Sequence, residues 1–152
     1  MKEYIVYTDG GYLLSINVGA GAYVILKSDG KTLLKQNSFI VKKETSQRAE
    51  LKAILAAVDA LPEHCRARIC TDNLYATLNL GKVPKRKGKP DLDLLIRYKQ
   101  LVRRKKIIIE FQWIRSHIGH DWNEHCDNLC TETLDQAAHS FFSQESLIES
   151  QI

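Results

Sequence analysis

The chain has 152 residues, 44% hydrophobic and 26% charged, with a net charge of +4. That fits one globular domain with a real core. No run approaches the ~18 apolar residues a bilayer span needs, which argues against a membrane role. The N-terminal MKEYIVYTDG has one lysine and a short apolar run ending at Asp9, without a leader-cleavage pattern, so a cytoplasmic setting is expected. Every Lys and Arg lies at or before Arg115: residues 1–115 carry 22 basic and 11 acidic side chains, and residues 116–152 carry seven acidic and none basic. A basic body suits a polyanionic partner, although a solvated charged face has the same composition. The four cysteines (Cys65, Cys70, Cys126, Cys130) form no CxxC pair and read as reduced, partly buried thiols. A zinc site from His120, His125, Cys126 and Cys130 is the less favoured reading, because structural sites usually bring two separated ligand pairs.

In chain order, residues 3–8 are nearly continuously apolar and predict a central strand buried on both faces, broken by Gly10-Gly11. Residues 20–27 and 32–41 predict two further strands joined by a Ser28-Asp29-Gly30-Lys31 turn. Thr45 or Ser46 caps a helix running to about Leu61, stopped by Pro62, with Leu51, Ile54, Leu55, Val58 and Leu61 as its apolar stripe. A strand over 66–71, a short helix to about Leu80, and a basic Gly/Pro-rich loop from Gly81 to Pro90 follow. A helix over 91–105, a strand over 107–114 and a final helix over roughly 122–139 complete the domain. The stripe of the last helix is Cys126, Leu129, Cys130, Thr133, Ala137 and Ala138. The order β-β-β-α-β-α-α-β-α predicts a mixed sheet with helices on its faces. Residues 1–139 form the expected domain. Residues 140–152 form a tail whose Phe141, Phe142, Leu147, Ile148 and Ile152 can dock on the body or on a partner chain, with the body as the favoured reading.

Two apolar runs end alike, in Thr8-Asp9-Gly10 and Thr71-Asp72-Asn73. Their strands can pair in parallel because a helix separates them, which brings both carboxylates to one sheet edge, where α/β proteins bind ligands. Glu50 is expected in the first turn of the intervening helix, and Asp127 flanks the last helix's stripe. Taken singly, each acid has an ordinary explanation as a turn former, helix cap or first-turn acid, and His117 is a loop imidazole. Together the four carboxylates would repel one another and raise each other's pKa. Such a set makes sense around counter-cations, and hard oxygen donors favour Mg²⁺ or Mn²⁺. Two such ions can promote phosphoryl transfer.

The segments YTDGG, TSQRAEL, CTDNLYA and SHIGHDWNEHCDNL resemble type I ribonuclease H, the endonuclease that cuts the RNA strand of an RNA–DNA hybrid. The likeness covers about Tyr4 to Leu134 and implies the ribonuclease H-like α/β fold, a mixed five-stranded sheet flanked by helices. It implies metal ligation by Asp9, Glu50, Asp72 and Asp127, two Mg²⁺ ions (Mn²⁺ as substitute), in-line attack by water, and products with 5′-phosphate and 3′-hydroxyl ends. His117 matches a mobile histidine assisting proton transfer or product release, and Glu124 an acid near the metals. The RNA 2′-hydroxyl selects the substrate. Gly10, Gly11 and Gln47 match positions that read it, as does the neighbourhood of Glu50. Asn17 and Asn73 match contacts along the strands, and Thr45 and Arg48 match a pocket for a DNA-strand phosphate.

The chain departs from the family's pattern in three places. Gly11 stands where the family commonly has Ser. The basic protrusion of larger members is shortened to Gly81–Pro90, where Lys82, Lys85, Arg86, Lys87 and Lys89 keep the charge without a tryptophan. The tail has no strong match, and no accessory hybrid-binding domain is expected before Met1. A monomer without an obligatory protein partner is expected. The alternatives are a catalytically silent hybrid-binding domain, disfavoured by the intact acids and His117, and a related DNA nuclease, whose acid spacing differs.

Overall fold

The structure is a computed structural model describing residues 1–42, 44–80, 91–115 and 121–150, with side chains up to 144. Five strands form one sheet: β1 (Lys2–Leu13), β2 (Val18–Lys27), β3 (Leu33–Lys42), β4 (Cys65–Thr71) and β5 (Ile108–Trp113), in the order β3-β2-β1-β4-β5. The helices are α1 (Ser46–Ala60), α2 (Leu74–Asn79), α3 (Leu92–Lys105) and α4 (Asp121–Ser150). β1 pairs antiparallel with β2 and parallel with β4. The first pairing follows from a short connection, and the second from the α1 crossover. At the β2–β3 turn, Asp29 accepts hydrogen bonds from the Lys31 and Thr32 amides, and Gly30 takes a left-handed φ of 70°.

Side-chain alternation along β1 and β2 splits the core in two. Val6, Tyr23 and Ile25 face α1 and α3, joining Leu51, Ile54, Val58, Leu94 and Tyr98. Ile5, Tyr7, Val24 and Leu26 face α4, against Cys126 and Leu129. Each fully buried Leu, Ile or Val contributes about 1.5–3 kcal/mol from burial. The expected α1 stripe is buried throughout, and all four cysteines are buried and free.

Three expectations are corrected. Gly10-Gly11 do not end β1, which continues to Leu13 with Gly10 opposite Gly21 and Gly11 opposite Ala20. The glycines serve close approach rather than a turn. The last helix does not end near 139 but runs to Ser150, since no Gly or Pro interrupts it. Phe141 and Phe142 are exposed and pack edge-to-face on each other, with ring centroids 5.5 Å apart, instead of docking on the body. The side chains of Leu147 and Ile148, together with Ile152 and the Gly81–Pro90 loop, lie outside the description. Among the described residues no helix is long and apolar enough to cross a membrane.

One buried charge fastens the α1–α3 layer. Lys105 Nζ donates to the carbonyls of Val58 (3.1 Å), Asp59 (2.6 Å) and Leu61. It thereby satisfies the Asp59 and Leu61 carbonyls, which the end of α1 leaves over, and adds a second bond to the Val58 carbonyl, which also accepts from the Leu61 amide at 3.2 Å. Replacing Lys105 with Met should lower the urea unfolding free energy by about 1–3 kcal/mol. Lys106→Met, at the exposed neighbour, should stay within about 0.5 kcal/mol. Equal effects would show that the cap contributes nothing.

Candidate metal centre and nucleic-acid edge

The parallel pairing of β1 with β4 ends at Tyr7 opposite Cys70. Asp9 and Asp72 each stand two residues further on, at the same sheet edge. Glu50 comes from α1, which can lie on β1 because residue 10 has no side chain: a Cβ on Gly10 would sit 2.6 Å from both the Glu50 nitrogen and its Cγ. The helix begins at Ser46, so Glu50 is past the first turn, not within it. Carboxylate oxygens of Asp9, Glu50 and Asp72 lie within 4.8 Å of one another.

Hydrogen bonds hold this arrangement. Asp9 Oδ1 accepts from the Gly10 amide at 2.9 Å. Asn73 caps α2 by accepting from the Ala76 amide at 2.9 Å, while its Nδ2 donates to Glu50 Oε2 and to Gln47 Oε1 (2.9 Å). The turn carrying Asp72 is tied to β5: Trp113 Nε1 donates to the Asp72 carbonyl at 3.1 Å, and the Ile114 amide to the Thr71 carbonyl at 2.9 Å.

Burial and crowding set the electrostatics. Burial first, then the Asp72 charge, pushes Asp9 up to about 8, with Glu50 and Asp127 adding to the rise. Burial and Asp72 likewise push Glu50 up to about 7. Asp127, half-buried on α4, stands outside the group of three yet is felt by Asp9. Two thiols fix α4 to β1 beside it: Cys126 Sγ donates to the Tyr7 carbonyl (3.4 Å) and Cys130 Sγ to that of Asp9 (3.5 Å). An all-oxygen donor set whose members raise each other's pKa suits a hard divalent cation. The zinc alternative gains nothing here. His125 contacts Gln36 Oε1 at 2.7 Å, Cys126 and Cys130 face main-chain carbonyls, and His120 lies outside the described residues.

Several sequence-predicted substrate residues gather in an open depression of about 680 Å³, lined by Tyr12, Asn17, Glu44, Thr45, Ser46 and Arg48. Thr45 is the α1 cap, its Oγ1 accepting from the Arg48 amide at 3.2 Å, which leaves the hydroxyl proton free to donate. Asn17 accepts from the Tyr12 hydroxyl. Gln47 keeps a buried Nε2 with no partner among the described residues. Gly11 faces α4, where a Cβ would meet Leu134 Cδ1 at 3.1 Å, so the serine of the family's pattern would need Leu134 to move. Glu124 is exposed on α4. His117, Lys85, Arg86 and Lys87 lie outside the described residues.

Sequence reasoning missed the clasp on Arg48. Asp93 takes Arg48 Nη1 and Nη2 at 2.9 and 2.8 Å, and Asp91 takes Nη1 at 3.2 Å. The guanidinium holds the Asp93 carboxyl down to about 2. No local signal announces this pairing across more than 40 residues. It also missed Asn73 as the side chain that orients Glu50, although an Asn directly after a strand's Thr-Asp is a helix-cap signal.

The RNase H family profile matches residues 1–135. A ribonuclease H of Campylobacter jejuni (strain 81-176) is 32% identical over 138 residues, covering 87% of this chain and 91% of its own. A ribonuclease H of Escherichia coli (strain E24377A) is 30% identical over 141 residues, covering 85% and 87%. Among solved structures, the N-terminal RNase H domain of a Mycobacterium tuberculosis protein, fused to maltose-binding protein, superposes with a TM-score of 0.76 at 20% identity, covering 92% of this chain and 99% of that one.

The raised carboxyls make stability depend on pH. With Asp9 at about 8 in the folded protein against an ordinary 3.8, the metal-free fold binds the extra proton between these values. The stability this proton contributes is full below about pH 4 and lost as pH rises through 8. In EDTA, Asp9→Asn should therefore stabilise the protein by about 1–3 kcal/mol at pH 9 and by little at pH 5. Urea unfolding at both pH values checks this. A pH-independent difference would mean that Asp9 is not crowded.

Proposed function

The chain belongs to the RNase H family, the endonucleases that cut the RNA strand of RNA–DNA hybrids, and from that premise we propose how its residues divide the work. The observation that carries the proposal is the convergence of Asp9, Glu50 and Asp72 from β1, α1 and the end of β4. With Asp127 beside them, these carboxylates would hold divalent cations, Mg²⁺ by preference and Mn²⁺ as a substitute. Bound there, two such ions would lower the pKa of a water and offset charge on the leaving oxygen, giving 5′-phosphate and 3′-hydroxyl ends.

The remaining steps fall to the chain itself. Asn73 holds Glu50 in the cluster, so the carboxylate needs no reorganisation when substrate arrives. Gln47 Nε2, with Gly10 and Gly11 main chain, reads the ribose 2′-hydroxyl, the group that separates RNA from DNA. Thr45 and Arg48, with Asn17 at the rim, grip a phosphate of the DNA strand. The N-terminus of α1 favours an anion at the same place. Arg48 reaches that phosphate without losing its Asp93 partner only if the two share the guanidinium fork. His117 carries a proton for the leaving oxygen or helps release product, and Glu124 acts near the metals. Lys85, Arg86 and Lys87 of the shortened loop add non-specific attraction to the hybrid. The catalytic domain is residues 1–139, followed by the tail 140–152 into which α4 continues, and the protein works as a monomer in the cytoplasm, a setting that suits four free thiols.

The primary test is cleavage of a labelled hybrid with and without Mg²⁺, beside matched RNA–RNA and DNA–DNA duplexes. Cutting of the hybrid's RNA strand alone, dependent on metal, is expected. Asp9→Asn should reduce the rate by at least ~10³-fold, and retained activity would remove Asp9 from the metal site. His117→Ala should slow turnover while leaving hybrid affinity within about twofold. A collapse of binding alone would reassign it. Neutralising Lys82, Lys85, Arg86, Lys87 and Lys89 should flatten the dependence of affinity on salt, and an unchanged slope would place the loop away from the substrate.

A further inference from the structure

We propose that the groove between α1 and α3 is a second nucleic-acid contact, taking the phosphodiester backbone of a single-stranded DNA extension where it leaves the hybrid. The inference rests on the hybrid-cleaving reading above and adds to it a surface that reading does not use. The groove has a volume of about 740 Å³. Phe39, Leu55 and Leu101 give it an apolar floor, and Lys52, Arg97 and Arg104 line it with positive charge. Asp59 is the single acid in the lining.

Geometry makes this groove continuous with the phosphate-binding edge. α1 and α3 run side by side in the same direction. Arg48 with Asp91 and Asp93 joins their N-terminal ends, and Lys105 with the Val58, Asp59 and Leu61 carbonyls joins their C-terminal ends. The groove therefore starts one helical turn past Arg48, at Lys52, and leads away from the Thr45–Arg48 depression. A strand gripped there by one phosphate has its next phosphates directed along a path already walled by cations.

The charge along that path is available. Arg97 and Arg104 are exposed, and neither has an acidic partner within ion-pair distance among the described residues, whereas Lys52 is held by Glu44 at 2.7 Å. A helix C-terminus normally repels anions. Here the Lys105 ammonium sits on the last carbonyls of α1 and offsets that field, so the far end of the groove stays cationic. The half-buried Phe39 ring lies over Gly21, where a Cβ would come within 2.6 Å of it. A fixed aromatic face beside a cationic rail is the pairing that single-strand binders use, stacking bases and tracking backbone.

The test is fluorescence anisotropy in EDTA at low salt. It compares a blunt hybrid with the same hybrid carrying a DNA-strand extension of about eight nucleotides at either end. The extension at one end should tighten binding by about tenfold. Arg97→Ala with Arg104→Ala should bring the ratio of the two affinities close to one, with an unchanged urea midpoint. Arg97→Lys with Arg104→Lys should keep most of the gain. No gain from either extension, or a gain that the alanine pair retains, overturns the proposal. Tighter binding of a poly-glutamate peptide than of the isolated DNA extension also overturns it, by assigning the groove to an acidic protein. Metal-dependent cutting of the blunt hybrid by the same preparation tests the catalytic reading separately.

Discussion

Everything at the acidic edge depends on how closely α1 lies on β1. The contact is made at Gly10, where any side chain would occupy the space of the Glu50 backbone. With α1 seated there, Glu50 stands beside Asp9, and Gln47 and Glu50 come within reach of the single Asn73 amide. The next residue does the same on the opposite face, where Gly11 admits Leu134 and Cys130 of α4. Two adjacent glycines thus let helices press on one strand from both sides, immediately after the carboxylate that both helices serve.

That compression has an electrostatic cost. Three carboxylates within 4.8 Å, partly removed from water, are held by the rest of the fold against their repulsion. The layer beneath supplies the opposing free energy: Leu51, Ile54 and Val58 anchor the helix that carries Glu50, and Ile69 anchors the strand that delivers Asp72. A site that destabilises the empty protein in this way is prepared to gain from a cation, because the ligand relieves a repulsion the fold already sustains.

The fold was largely legible because its signals are local. β1 and β2 alternate between two cores, α1 carries a regular apolar stripe, and the crossover forces β4 to be parallel to β1. The errors came from the same locality. Gly10-Gly11 looks like a strand break unless one knows that Glu50 will pack there, and nothing in residues 46–50 announces that contact. The last helix loses its regular apolar stripe near Ala138 while its backbone has no reason to stop, so it continues to Ser150. At the site, strand-end Thr-Asp pairs and the first half of α1 pointed to Asp9, Glu50 and Asp72. Lys105 was hidden in a run of four basic residues that reads as surface. The pairing of Arg48 with Asp93 was hidden by its separation in sequence.

The two thiols beneath α4 have a use of their own. Cys126 and Cys130 are buried against β1, and burial pushes both far above the range in which a thiolate forms. They are therefore silent to alkylating reagents while α4 stays seated and become reactive when it lifts. Because Cys130 is bonded to the Asp9 carbonyl, that lifting also dismantles the wall behind the acidic edge. The rate at which the native protein takes up an alkylating label at these positions is a built-in clock for opening of the site from its rear, and it can be read without substrate, metal or turnover.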